Sequence, residues 1–600
     1  MLRWRRMLGY ESEWIPGTDH AGIATQTVVE KNLFRETGQT RHDIGREEFV
    51  KLVWKWREQN GDAILNQFKR LGASIDSKRT FFTLDPPRVK GVCEAFCRLY
   101  EKGYIYRDTR IVNWCCFLKT ALSDIEVDHI EIKKPEKRQV LGHDGFYEFG
   151  YLVHFAYKIK GIEVSEEDVA KAAAEDKSKE SEEKEEEEKK DGKKKDVKKI
   201  LKIKAALPDE IIVATTRIET MLADTAVAVH PDDERYKHLI GKELIHPFFP
   251  ERKMKIIGDP VLVEMGFGTG AVKITPAHDM NDFECGRRNG LEEINIFNDD
   301  GVINENGGRF KGIKRFDARK IVSDELDKLG LLKGKQANDM SIAVCSRSGD
   351  VIEPLVKPQW WMNCEQLAQR SIDAVKEKEL KIIPSNFEKT WYEWLSKIRP
   401  WCISRQLWWG HRIPAYLVKI EGKIDQPDSK NPEHWLIART QEDAFIQAKE
   451  KYGEQYSDKI ELIQDPDVLD TWFSSGLMPF TSLGWPEQTQ DLNAFFPSDV
   501  LETGTDILFF WVARMVMMSL CLMEKLPFHT VFLHHLIKDA HGKKMSKSSG
   551  NIIDPIEVIE GCTLDSLLNK IEQSTLPAKE KERGFKLQKK VIKSLCLICS

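Results

Sequence analysis

Apolar residues recur at helical spacing in two stretches near the start of the chain. Across residues 46–71, Phe49, Val53, Trp56, Ile64, Phe68 and Leu71 fall mostly three or four apart, and Gly72 follows. This spacing predicts an amphipathic helical region with a glycine stop. A second helix is expected over residues 87–102, after the Asp85-Pro86 break. The first eight residues read as the end of a core helix. Residues 11–26 give a short strand signal and then the turn-rich loop Pro16-Gly17-Thr18-Asp19-His20-Ala21-Gly22. Residues 110–128 begin like a buried strand. From about 146 to 345 the pattern changes to short strand-like runs, at 147–159, 211–216, 261–264 and 271–275, where aromatic and β-branched residues concentrate. Further on, an apolar helix over 507–522 and a buried strand from Val531 lead into a lysine-rich loop. Helices and strands mixed in this way predict an α/β protein interrupted by a strand-rich insert. The expected units are 1–140, 141–345, 346–567 and a divergent tail, 568–600.

Composition narrows this picture. Six hundred residues exceed a single core, and 41% apolar content suffices for several. The net charge of -5 excludes a generally basic coat, so any nucleic acid would be met by local patches. Twelve cysteines lie scattered without a disulfide or zinc spacing, which favours a reducing compartment and predicts no bound metal. No apolar run approaches the roughly 18 to 20 residues of a bilayer span, so no membrane is expected. Residues 165–199 carry KEEEEKKDGKKK and cannot build a core; a disordered charged surface loop is expected, with a lysine tail touching RNA as the alternative.

Five stretches carry polar chemistry. In Gly542-Lys543-Lys544-Met545-Ser546-Lys547-Ser548-Ser549-Gly550, two lysines three apart lie between glycines and among hydroxyls. This reads either as a solvated basic turn or as a mobile clamp for a polyphosphate. Glu502-Thr503-Gly504-Thr505-Asp506 stands at a strand-to-helix junction, where Gly504 and Asp506 suit a ribose and Thr505 or Asp506 suits an N-cap. Residues 401–411 mix tryptophans with Arg405, Gln406 and His411, as an apolar-floored pocket does. Asp19 is a ligand or a cap. In the insert, Thr215-Thr216-Arg217-Ile218-Glu219-Thr220 and the run from Gly268 to Asp282 suggest a pocket for a polar ligand bearing an amine.

Taken together and in order, GTDHAGIAT, TTRIET, GTGAVKITPAHDMND, WCISRQLWWGH, DVLDTWFSSG, ETGTDILFFW and KKMSKSSGN resemble the motifs of class I aminoacyl-tRNA synthetases, and most closely their valyl branch. The resemblance covers residues 1 to about 567. Isoleucyl and leucyl relatives carry Gly-Trp-Asp where this chain has Gly17-Thr18-Asp19-His20-Ala21-Gly22. It implies a Rossmann-like nucleotide-binding fold split by an inserted editing domain. It also implies activation of valine with ATP and Mg2+ and transfer to tRNA(Val), by a monomer in the cytoplasm rather than the mitochondrion. By similarity, Asp19 holds the valine amino group, and Trp409 and Trp472 shape the side-chain pocket. Gly504 and Asp506 touch the ribose, and His534 lies by the adenine or phosphates. Lys544, Ser546 and Lys547 belong to the KMSKS signature that neutralises the triphosphate during phosphoryl chemistry.

An apolar pocket sized for valine rejects threonine poorly, and valyl synthetases are themselves the usual illustration of that limit. The resemblance therefore implies a second, hydrolytic pocket that removes mischarged threonine. Its lining would be Thr215, Thr216, Arg217, Lys273, Thr275 and Asp279, with Asp282 on the amino group. The chain departs from the family pattern in lacking a His-x-Gly-His loop before residue 1 and a helical anticodon-binding region after 567, and in placing His535 where a small residue is usual. These departures lead to an expectation of weak valine activation. The alternatives are a chain that only deacylates and a non-catalytic remnant that binds tRNA or nucleotide.

Overall fold

The computed structural model describes residues 1–175, 203–266, 268–538, 545, 554–573, 581–586 and 588–589. They fall into two compact units, Met1–Asp108 with Trp360–Ser600, and Thr109–Gln359.

In the first unit the predicted 46–71 region is two helices, Arg46–Asn60 and Ala63–Arg70. The break falls at Gly61, next to Asp62, a pair that favours a turn. Phe49 and Val53, four apart, are the buried residues of the first of these helices. The second predicted helix runs Pro86–Glu101 and buries Val92, Ala95, Phe96 and Leu99, a stripe of three- and four-residue steps. Its proline-first start is natural, because first-turn amides have no helical acceptor to lose. Leu2–Met7 is helical but buries nothing, so it is not part of a core.

Three parallel strands, Lys381–Ile383, Phe528–His534 and Ser498–Gly504, pair in that order. Against this architecture lies the main core, where Trp360, Trp391, Trp401, Phe473 and Met515 are all buried. All ten residues of Ala513–Leu522 are buried. The continuous stretch Thr505–Leu522, 18 residues at mean hydropathy 1.6, is long and apolar enough to cross a membrane, contrary to the expectation that no run approaches that length. Its burial gives it the character of a core helix.

The second unit is strand-rich, as predicted, and broader than 141–345. Val127–Ile132 pairs with Met340–Cys345 over six residues, which draws in segments on both sides. The main sheet has seven strands, ordered Ala271–Ile274, Ala226–Val229, Met254–Gly258, Glu243–Ile245, Tyr151–Ile159, Leu332–Ala337, with Glu210–Thr215 also on Tyr151–Ile159. The strand expected at 261–264 is instead a turn. The Asp259 carboxylate accepts from the amides of Val261 and Leu262 at 3.0 and 2.9 Å, and Pro260 has no amide to give a ladder.

The charged loop expected from residue 165 begins as a helix over 166–175. The Ser165 amide and hydroxyl donate to Asp168 Oδ2 at 3.0 and 2.6 Å, and the Asp168 amide donates back to Ser165 Oγ at 3.2 Å. That reciprocal cap, ahead of an alanine-rich run, outweighs the charge pattern. The rest of the loop lies outside the described residues. Among those described, the ten cysteines are free thiols, and no three His, Cys, Asp or Glu side chains cluster as metal ligands.

Candidate active and hydrolytic sites

In the first unit, three of the singled-out stretches meet around His20. Gly17–Thr18 pairs in parallel with Phe81–Phe82, and a Cβ on Gly17 would fall 2.2 Å from the Phe81 ring. The chain then turns: Asp19 Oδ1 accepts from the Ala21 amide at 2.8 Å, and Ala21 takes a left-handed conformation, φ 46, before the helix Gly22–Thr37. Such a conformation in a residue with a Cβ is a strain that the surroundings must hold. They hold it through His20. Its amide and its ring Nδ1 both meet Thr83 Oγ1 at 3.0 Å, and its carbonyl accepts from Trp409 Nε1 at 2.7 Å.

The 407–411 segment is tied to the same helix, since Gln26 Oε1 accepts from the amides of Trp408 and Trp409 at 2.9 and 3.2 Å. The 467–471 turn closes the group. A Cβ on Gly22 would meet Thr471 Oγ1 at 2.7 Å, and one on Gly410 would meet Val468 at 3.0 Å. Trp409 is buried beneath Trp54, Phe82 and His20, so it supports the Asp19 loop from within. Trp472 is half-buried at the core margin. Asp470, just before it, is a buried hub: its Oδ2 accepts from Arg405 Nη2 and Trp401 Nε1, each at 3.0 Å, with Arg514 Nη1 at 3.7 Å. Thr83, Gln26 and Arg514 carry this arrangement without any motif signal, because each acts through the fold rather than through spacing.

Burial holds the His20 pKa down at about 4, against a smaller opposing pull from Asp470. The unfolded chain takes up this proton below about 6.5, whereas the folded chain resists it until about 4. The neutral ring therefore contributes fully above pH 6.5, and stability falls as pH drops from there towards 4, by about 2 to 3 kcal/mol at most. Denaturant melts at pH 7 and pH 4.5 should show a smaller acid loss in His20→Asn than in the parent. Equal losses would refute this assignment.

Gly504 and His534 are register partners at the carboxyl ends of adjacent parallel strands, where open α/β sheets take ligands. A Cβ on Gly504 would meet Asp506 Oδ1 at 2.7 Å, so the bare backbone lets Asp506 fold back beside the strand end. The cap positions of the two short turns here fall to Gly504 and Ile507, not to Thr505 or Asp506. His534 Nε2 lies 3.0 Å from Glu502 Oε1, a partner the motifs did not reveal. Lys544, Ser546 and Lys547 lie outside the described residues.

In the second unit, the two polar stretches converge on a buried network. Lys273 leaves the strand Ala271–Ile274, and its ammonium donates to Thr220 Oγ1 and Asp224 Oδ1 at 3.0 Å each, and to Thr275 Oγ1. The Thr275 hydroxyl donates to Asp224 Oδ1 at 2.5 Å, and the Tyr157 hydroxyl donates to Asp224 Oδ2 at 2.7 Å. Asp279 caps the helix Met280–Asn289, accepting from the amides of Asn281 and Asp282. Asp282 sits in the first turn, where its Oδ2 accepts from the Thr275 amide at 2.8 Å. Burial, aided by the charge of Asp279, raises the Asp282 pKa to about 7, although Lys273 and the Thr275 amide oppose the rise.

Thr215 ends its strand and accepts from the Arg217 amide at 3.0 Å, while Thr216 is half-buried beside it. The Arg217 guanidinium is occupied by Glu353, by the His278 carbonyl at 3.0 Å and by Glu219 at 3.5 Å. Thr220 joins the two groups, since its hydroxyl donates to the Arg217 carbonyl at 2.9 Å and accepts from Lys273. Tyr157, Asp224 and Glu353 escaped the sequence reading. Asp224 resembles any turn acid until the antiparallel pairing of Ala226 with Ile274 carries it alongside Thr275.

A family profile described as tRNA synthetases class I (I, L, M and V) matches residues 1–581. The chain is 51% identical over 584 residues to the mitochondrial valine--tRNA ligase 1 of Arabidopsis thaliana, covering 97% of this chain and 48% of that protein. It is 48% identical to the human valine--tRNA ligase, with coverage of 98% and 43%, and 49% identical to that of Caenorhabditis elegans, with 97% and 51%. The chain thus spans about half the length of the curated relatives it matches. Its motifs, its parallel strand ends and this match together make it a member of the class I tRNA synthetases of the I, L, M and V group.

Proposed function

We propose that this chain supplies the amino-acid-activating and hydrolytic parts of a valine--tRNA ligase, joining valine to tRNA(Val) with ATP and Mg2+ and clearing threonine joined by mistake. The choice of valine is supported by the names of its relatives. In the first unit, Asp19 would hold the valine ammonium from a loop braced by His20 and Trp409, and Gly504, Asp506 and His534 would receive the nucleotide at the strand ends. These groups bind and orient; the attacking carboxylate belongs to valine, so no protein nucleophile is required.

The observation that carries the hydrolytic half is the carboxyl of Asp282, buried yet poised near neutrality beside Asp279 and Lys273. A carboxylate with its pKa near the working pH is suited to meeting the amino group of a bound aminoacyl ester or to taking a proton from water. The test is release of threonine from tRNA(Val) charged with radiolabelled threonine. The chain should speed release, and Asp282→Ala should slow it at least about tenfold while leaving valine-dependent pyrophosphate exchange unaltered. Equal release by parent and variant would refute the hydrolytic reading.

A further inference from the structure

The ammonium of Lys273 has three protons, and all three are spent inside the protein, on Thr220, Asp224 and Thr275. Lys273 is buried and so has none left for a ligand while this arrangement stands. Its effect on the site must pass through the groups it orders. The centre of that order is Asp224, which is wholly buried and receives Lys273 and Thr275 on one oxygen and Tyr157 on the other. Thr275 then faces two ways, with its hydroxyl on Asp224 and its amide on Asp282. A single residue therefore couples the inner carboxylate to the outer one.

We propose that Asp224 is a positioning residue of the hydrolytic centre, fixing Lys273 and Thr275 so that the Thr275 amide holds the Asp282 carboxylate in its working place. This rests on the hydrolytic reading given above. Asp224 touches neither substrate nor water in this role. Its carboxylate also acts at a distance, because the groups facing Asp282 are Asp279 on the same helix, Lys273 and Thr275 on the neighbouring strand, and Asp224 beyond them. Of these, Asp279 and Asp224 raise its pKa, whereas Lys273 and the Thr275 amide lower it. Removing the Asp224 charge while keeping its shape should therefore make Asp282 more acidic.

The experiment compares the full chain with Asp224→Asn, Asp282→Ala and the double variant Asp224→Asn/Lys273→Met. Hydrolysis of threonyl-tRNA(Val) is followed from pH 5 to 9. Asp224→Asn should lose about tenfold in maximal rate with little change in KM, and the acidic limb of its rate profile should move to lower pH by about half a unit or more. The double variant removes both charges together and so avoids a stranded buried ammonium, which keeps the test open if Asp224→Asn fails to fold. It should be no slower than Asp224→Asn, because the two residues act as one unit. If the parent hydrolyses the ester and Asp282→Ala does not, but Asp224→Asn and the double variant keep both rate and profile, the positioning role is wrong. If parent and Asp282→Ala are alike, the hydrolytic reading fails, and the proposal falls with it.

Discussion

Arg315→Ala should cost the chain about 3 to 5 kcal/mol of unfolding free energy, the range seen when one partner is removed from a buried ion pair. Arg315 opens the helix Arg315–Lys328 and is 2% exposed. Its Nη2 donates to Asp350 Oδ1 at 2.9 Å and to the Val351 carbonyl at 2.7 Å, and its Nη1 lies 3.2 Å from Glu353 Oε2. Glu353 would keep Arg217 and His278, but Asp350, 1% exposed, would keep no cation, with the Phe117 and Val351 amides and the Cys115 thiol at 3.9 Å as its donors. Burial already raises the Asp350 pKa, and loss of the guanidinium would raise it further. The deficit should therefore shrink as pH falls and Asp350 takes a proton. Urea melts at pH 8 and pH 5 read both effects. Asp350→Asn added to Arg315→Ala should recover part of the loss. A deficit below about 1 kcal/mol at pH 8 would mean the network is dispensable.

The motifs were legible because they are local. Strand ends, turns and caps leave residue types at fixed spacing, so the strand end at Gly504, the Asp19 loop and the Lys273–Asp282 run are readable from sequence. What escaped was whatever depends on residues distant in sequence. Glu353 answers Arg217 from 136 residues away, and Gln26 binds the 408–409 amides from more than 380. Neither distance leaves a pattern in either segment. The pairing of Val127–Ile132 with Met340–Cys345 is of the same kind, since Val127–Ile132 has the look of a polar connector until Met340–Cys345 lies beside it. At residues 261–264 the β-branched and apolar residues suggested a strand, but Asp259 and Pro260 had already committed the backbone to a turn. In the 166–175 segment the reverse holds: the charge content suggests a loop, but the capping pair Ser165 and Asp168 starts a helix.

The second large effect belongs to the other unit, where Asp470→Ala should destabilise by about 3 to 5 kcal/mol and also disturb the Asp19 loop. Asp470 is 4% exposed and faces two buried cations, Arg405 at 3.0 Å and Arg514 at 3.7 Å. Arg514 lies 3.8 Å over the Trp401 ring, whose indole N–H donates to the same carboxylate, so the charge, the ring and the second arginine form one packed stack. Asp470 Oδ1 also accepts from the Trp472 amide at 3.3 Å at the start of the helix Thr471–Gly476. Alanine removes all of these at once and leaves like charges buried together. Asparagine keeps the cap and an acceptor for Trp401 but not the charge, and should lose less than alanine. Because Asp470 supports the proton affinity of His20, both substitutions should lower the His20 pKa further. Urea melts of the two variants, read beside the imidazole resonances of His20, separate packing from charge. If alanine and asparagine were equally costly, the cap and the Trp401 bond would contribute nothing. If neither cost more than about 1 kcal/mol, the two arginines would be compensated without Asp470.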